Sequence, residues 1–232
     1  MSTELLQRYQ DVLQRIHKAC QQAERPPESV ALLAVSKTKP VEDIELIAQQ
    51  GQTSFGENYV QEALQKIALH PELDWHFIGP IQSNKTKPIA EHFNWVHSID
   101  RLKIARRLSD QRPADKSPLN VLLEVNISGE QSKAGFQPQE LMQAAAEIAQ
   151  LPNLNLRGLM AIPQAVTDFE SQRIPFAKMR SLLESLQNAL PDCQLDTLSM
   201  GMSGDLEAAI LEGATMVRIG TDIFGARDYS QS

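Results

Sequence analysis

The sequence predicts a single α/β domain, residues 1–232, folded as a (β/α)8 barrel. Three observations point there. Short apolar runs alternate with helix-patterned stretches eight times, which favours parallel strands joined by right-handed crossovers. Runs such as VALLAVS and LNVLLEVN are apolar on both faces, as a sheet covered by helices requires. The chain length of 232 residues is close to the roughly 250 usual for this barrel.

The elements follow in order. The first ~24 residues read as one amphipathic helix, with Leu5, Leu6, Tyr9, Val12, Leu13, Ile16 and Ala19 at helical spacing until Pro26-Pro27 stops it. Strands are expected at Val30–Ser36, Thr53–Phe55, Trp75–Ile78, Trp95–Ile99, Leu119–Asn126, Leu154–Ala161, Leu195–Ser199 and Thr215–Ile219. Helices fall between them at Val41–Gln50, Tyr59–Leu69, Asn84–His92, Arg101–Arg112, Gln139–Leu151, Asp168–Leu190 and Gly204–Glu212. The stretch after the eighth strand has few helix signals, so the N-terminal helix is expected to complete the outer ring. The alternative, an open doubly wound sheet, lacks the G-x-G-x-x-G that a dinucleotide site places after its first strand. There is no internal repeat or low-complexity tract; Gln111–Ser117 and Ser128–Pro138 read as loops within one domain.

Composition narrows the function. Apolar residues are 42% and charged residues 22%, ordinary for a globular protein, and the net charge is −7. An acidic balance argues against a protein that coats nucleic acid, which needs clustered cations. Cys20 and Cys193 cannot build a disulfide framework or a four-thiolate zinc site, and read as reduced intracellular thiols. No window approaches ~18 consecutive apolar residues and the start is no signal peptide, so a cytoplasmic chain with no membrane span is expected.

Barrel chemistry gathers just beyond the strand C-termini. Those positions here hold Ser36, Lys37 and Thr38; Gly56, Glu57 and Asn58; His76, Gly79 and Gln82; Asn126; Met160; the run SMGMSGD; and RIGT. Lys37 ends an apolar strand, where a desolvated amine becomes nucleophilic toward carbonyls. The plain alternative is a solvated lysine or one paired with Glu57. In Ser199–Asp205, small residues let backbone amides approach an anion, and Ser203 can donate to a phosphate oxygen. Simple N-capping by Ser203, with Glu207 and Asp205 nearby, competes. Gly220 and Thr221 fall where the last barrel loops often build a phosphate site. Arg218 lies within the strand and needs a ligand or a carboxylate such as Glu124. An amine, a phosphate cradle and an arginine between them suit pyridoxal 5′-phosphate. The five histidines show no metal-ligand spacing, and His76 reads as a hydrogen-bonded structural residue.

The segments LLAVSKTKP, FGENYVQE, WHFIGPIQSNK, LEVNISGEQSKAGF, RGLMAIP, LSMGMSGDLEAAI and MVRIGTDIFGARDY resemble the YggS/PROSC family of pyridoxal phosphate homeostasis proteins, in order from about Ala31 to Tyr229. That family is similar to the barrel domain of alanine racemase, the fold-type III architecture. The resemblance implies a Schiff base on Lys37, phosphate contacts from Ser203, Gly220 and Thr221, and Arg218 facing the pyridine nitrogen. It also implies Asn58 and Met200 as pocket walls.

The expected function is binding of pyridoxal phosphate for vitamin B6 homeostasis, affecting amino-acid metabolism without turnover. An arginine opposite the ring nitrogen disfavours pyridinium and weakens the electron sink. Racemases of this fold carry a further β-domain that supplies a second acid/base group, for which this chain leaves no room. A monomer is expected for the same reason, handing cofactor to apo-enzymes that use it. Two alternatives stand: an amino-acid racemase or lyase with Lys37 as catalytic base, and a sugar-phosphate isomerase-like barrel in which Lys37 acts only electrostatically. Lys39, Lys85, Lys87 and Lys133 are further amines for secondary attachment.

Overall fold

The computed structural model describes residues 2–130 and 132–226. Eight parallel strands close into a barrel in sequence order: β1 (Ala31–Val35), β2 (Ser54–Glu57), β3 (Asp74–Phe77), β4 (Trp95–Ile99), β5 (Leu119–Glu124), β6 (Leu154–Met160), β7 (Thr197–Ser199) and β8 (Met216–Ile219). Closure is made by β1 on β8, with Leu33 opposite Arg218 and Ala34 opposite Ile219. The barrel expected from alternation is therefore present. The strands are shorter than their apolar runs at several ends: the fifth stops at Glu124 and the seventh begins only at Thr197.

Each crossover carries a helix: α2 (Val41–Ala48), α3 (Val60–Leu69), α4 (Thr86–His92), α5 (Leu102–Gln111), α6 (Leu141–Ala149), α7 (Phe169–Ala189) and α8 (Leu206–Leu211). Phe55, Phe77, Val96, Val121, Leu159, Leu198 and Val217 are buried beneath this ring. Burying such a side chain is worth about 1.5–3 kcal/mol, so the alternation of outward apolar residues drives assembly of the two layers.

Among the described residues, one helical turn follows β8, α9 (Thr221–Phe224). The vacant place in the ring is taken by the N-terminal helix α1 (Ser2–Gln22), which packs against α8, α9 and α2. Its stripe of Leu5, Tyr9, Val12, Ile16 and Ala19 is buried, as the helical spacing predicted. Tyr9 adds a polar tie: its hydroxyl donates to Gln52 Oε1 at 3.1 Å, and Gln52 Nε2 in turn donates to the Leu32 and Ser54 carbonyls.

Candidate functional site

β1 delivers Lys37 to the C-terminal rim through a tight turn, in which the Lys39 amide donates to the Ser36 carbonyl at 3.1 Å. Thr38 sits at φ +62°, a left-handed conformation uncommon for a residue with a β-carbon. Glu62 of α3 holds it there by accepting the Thr38 amide at 2.6 Å. The same Glu62 oxygen accepts from Lys66 Nζ at 2.6 Å. Lys66 is buried and also donates to Glu57 Oε1 at 2.7 Å and to the Ser36 carbonyl at 2.8 Å. Ser36 completes the cluster by donating its hydroxyl to Glu57 at 2.6 Å. Glu57 is thus met by Lys66 and Ser36. Burial nevertheless pushes its carboxyl above the usual range, against the pull of Lys66.

The second half of the rim lies across the β1–β8 seam. Gly220 follows β8 so closely beside β1 that a β-carbon there would stand 3.2 Å from the Val35 carbonyl. Thr221 is the exposed first residue of α9. The loop after β7 turns at Gly201, whose φ of +97° and close approach to Ala209 exclude a side chain. Beyond it Ser203 is half-buried, while Met200 is fully buried in the hydrophobic core. Ser203 is not the helix cap weighed above: α8 begins at Leu206 behind Asp205, and Asp205 Oδ1 accepts the Met202 amide at 2.7 Å. Asn58 follows β2 with its Oδ1 buried and unpartnered, at the edge of a cleft of ≈ 440 Å³ shared with Tyr59, Gln82 and Lys85.

Arg218 occupies the barrel interior, and the ion pair with Glu124 weighed above is replaced by other partners. Its Nη1 donates to Ser199 Oγ at 2.8 Å and its Nη2 to the Ala161 carbonyl at 3.1 Å. Burial pulls its pKa down to about 10, so it stays cationic at neutral pH. Behind it runs a polar line down the barrel axis. His97 Nδ1 lies 2.8 Å from Ser199 Oγ, His97 Nε2 lies 2.9 Å from His76 Nδ1, and His76 Nε2 lies 2.9 Å from Asp74 Oδ2. Burial, with His76 and Arg218 nearby, holds the His97 pKa well below the usual histidine value, so the ring is neutral. Arginine has only donors to give and a carboxylate only acceptors, so the two ends of the line are fixed: Arg218 donates to Ser199 at one end, and Asp74 accepts from His76 at the other.

The fold therefore brings Lys37, Arg218, Gly220 and Thr221 to one seam, with the Ser203 loop on the neighbouring strand. Composition and spacing gave no sign of the Ser36–Glu57–Lys66–Glu62 cluster or of the link from Ser199 to His97. One signal was present: Lys66 stands between Ala63 and Ile67 on the buried stripe of α3, an unusual place for an unpaired lysine. Lys39 is not a spare amine, since its Nζ is held by the carbonyls of Phe224, Gly225 and Ala226 at 3.1–3.2 Å. The last part of the run MVRIGTDIFGARDY, from Arg227, lies outside the described residues. Among the described residues no group of three or more His, Cys, Asp or Glu is placed to hold a metal, and no helix is long and apolar enough to cross a membrane.

Comparison with known proteins agrees with the fold. The family model for the alanine racemase N-terminal domain matches residues 9–228. A pyridoxal phosphate homeostasis protein of Pasteurella multocida is 59% identical over 224 residues, covering 95% of this chain and 96% of that relative. Among solved structures, PipY of Synechococcus elongatus with pyridoxal phosphate bound is 37% identical with a TM-score of 0.79, covering 92% of this chain and 100% of that one. Alanine racemase of Corynebacterium glutamicum shares the fold alone, at 16% identity and a TM-score of 0.66, covering 95% of this chain and 62% of that one. With a family model spanning most of the sequence and a relative identical at more than half of the aligned positions, the chain belongs to the pyridoxal phosphate homeostasis protein family.

Proposed function

We propose that the chain binds pyridoxal 5′-phosphate at the C-terminal mouth of its barrel and keeps it available without consuming it. The PipY structure with pyridoxal phosphate bound, at 37% identity over nearly the whole chain, carries this reading. The residues present fit such a group. A rim amine, a buried arginine and two loops of small residues converge on one seam, and Asn58 Oδ1 offers a buried acceptor with no partner of its own.

The roles divide by chemistry. Lys37 is the point of covalent attachment. Ser203, Gly220 and Thr221 grip the phosphate through hydroxyl and amide donors. Arg218 faces the ring nitrogen, held in place by Ser199. Asn58 and the start of the β7 loop at Met200 wall the ring. Bound pyridoxal phosphate supplies an electrophilic carbonyl carbon and, when its ring nitrogen is protonated, an electron sink. Arg218 remains charged and opposes that protonation.

A carrier rather than an enzyme is supported by the placement of the barrel histidines, His76 and His97, which are buried in the barrel interior with both ring nitrogens of each engaged in the axial line. The name borne by the relatives, which speaks of homeostasis, points the same way. We read the whole chain as one domain acting as a cytoplasmic monomer, with apo-enzymes that use the cofactor as recipients.

The test is the absorbance of purified protein mixed with pyridoxal phosphate. The near-visible band of a lysine-bound cofactor is expected in the wild type and absent in Lys37→Ala, and borohydride fixation should map to the peptide holding Lys37. Label on another peptide overturns the site. Rapid turnover of a single amino-acid enantiomer by the loaded protein overturns the carrier reading.

A further inference from the structure

Helix α1 does more than fill the ring. Arg15 reaches from it to the two loops that flank the phosphate end of the site. Its Nε and Nη2 fork onto both oxygens of Glu207, at 2.8 and 3.0 Å. Nη1 donates to Asp222 Oδ2 at 2.6 Å, and Nη2 also donates to the carbonyl of Ser203 at 2.9 Å. Four of the five guanidinium protons are used, in one plane, on acceptors from α8, α9 and the loop before α8. The other ends of the same two short helices are also held from α1 and the turn that follows it. Arg8, one heptad before Arg15, donates to the Ile223 carbonyl at 2.8 Å, and Arg25 donates to the Ile210 carbonyl at 2.8 Å.

The charges sharpen the point. Asp222 stands next to Thr221, and Glu207 lies four residues beyond Ser203, so each loop carries a carboxylate close to residues that grip an anion. Arg15 is the cation paired with both. The three side chains are 35–36% exposed, so their pairing adds little to overall stability. Its effect lies in placing the loops and cancelling their charge.

We infer that Arg15 is a positioning residue for the phosphate end of the cofactor site: it fixes the Ser203 loop against Thr221 and neutralises the two carboxylates that would otherwise oppose the phosphate. The inference rests on the reading that Ser203, Gly220 and Thr221 hold that phosphate. It assigns to the N-terminal helix a share in discriminating a phosphorylated ligand from its unphosphorylated form.

The experiment titrates the full chain with pyridoxal phosphate and, separately, with pyridoxal, which has the same ring and aldehyde but no phosphate. The near-visible band and the thermal midpoint are read for wild type, Arg15→Met, Arg15→Lys and the triple variant Arg15→Met/Glu207→Gln/Asp222→Asn. Arg15→Met should weaken pyridoxal phosphate binding by about tenfold or more while pyridoxal binding stays within about twofold. Arg15→Lys should show the same selective loss, since one ammonium cannot span four acceptor atoms on three residues, and it carries the test should Arg15→Met fail to fold. The triple variant should regain part of the lost affinity. Equal loss of both ligands, or loss of neither, overturns the role of Arg15. A wild type that binds pyridoxal as tightly as pyridoxal phosphate brings down the phosphate-site reading itself, and Arg15's role with it.

Discussion

Arg218 and His97 meet on a single oxygen: Ser199 Oγ lies 2.8 Å from Arg218 Nη1 and 2.8 Å from His97 Nδ1. The three groups come from β8, β4 and β7, and all are buried. One hydroxyl thus receives from the guanidinium and also pairs with the imidazole.

Ser199→Ala should leave a guanidinium proton and His97 Nδ1 without partners in the barrel interior. Each orphaned buried group costs about 1–3 kcal/mol. Urea unfolding should show a lower midpoint with an unchanged slope, and the nitrogen-15 spectrum should no longer report one His97 tautomer. An unaltered midpoint contradicts the pairing of both groups on Ser199.

Two buried groups should oppose one another in the pH dependence of stability. His97 is held neutral in the fold, so the unfolded chain binds the extra proton below about pH 6.5 and stability rises with pH up to that value. Glu124 behaves in reverse. Burial, with Asp100 nearby, raises it from 4.5 to about 7, so the folded chain keeps a proton the unfolded one has lost, and stability falls between those values. Each slope is about 1.4 kcal/mol per pH unit, and over the shared window they cancel. Glu124→Gln should therefore expose a rising profile and His97→Gln a falling one, measured as denaturant midpoints from pH 4.5 to 7.

Lys66→Met strips the cation from a carboxylate that has no exposure. Breaking such a pair costs about 3–5 kcal/mol. The double variant Lys66→Met/Glu57→Gln should recover a good part of the thermal midpoint, and the single variant should also loosen cofactor retention through Thr38. Equal midpoints for single and double variants would show that the pair is not the source of the loss.

Gly79→Ala is expected to disturb the site by force. A β-carbon at this position would lie 2.5 Å from the Asn58 carbonyl oxygen and 2.8 Å from its Cα. Backbone cannot yield as a side-chain tip does, so a loss of about 1–3 kcal/mol should accompany weaker retention of pyridoxal phosphate.

Ser203→Ala and Thr221→Ala should each lower cofactor affinity by about 1–3 kcal/mol if a charge-assisted hydrogen bond is removed. Equilibrium dialysis against free pyridoxal phosphate measures it, and unchanged affinity in both removes these hydroxyls from the cradle.

The sequence showed the barrel because its signal is local: alternation of strand and helix, and strands apolar on both faces. The placement of Lys37, Arg218 and the Gly220–Thr221 pair beside one another was legible because the C-terminal ends of barrel strands share one rim. What stayed hidden was contact across distance in the chain. Ser199 and His97 are 102 positions apart, and Arg15 lies 207 positions from Asp222. Nothing in their local surroundings distinguishes them. Arg8 and Arg15 sit one heptad apart beside the apolar stripe of α1, which marks a face but not what the face grips. Helix starts slipped for a related reason: Asp205, not Ser203, stands where α8 begins, since the tight turn at Gly201 takes up the residues before it.

The seam between β1 and β8 has a temporal meaning. Lys37 belongs to one side and Arg218 to the other, so the rim that carries both does not exist until the eighth strand has docked. At about 5–20 residues per second of synthesis, the first strand waits roughly ten to forty seconds with one edge bare. A nascent chain must shield that open hydrogen-bonding edge from wrong neighbours. Pyridoxal phosphate held from both sides, as proposed above, would keep the ring shut by mass action.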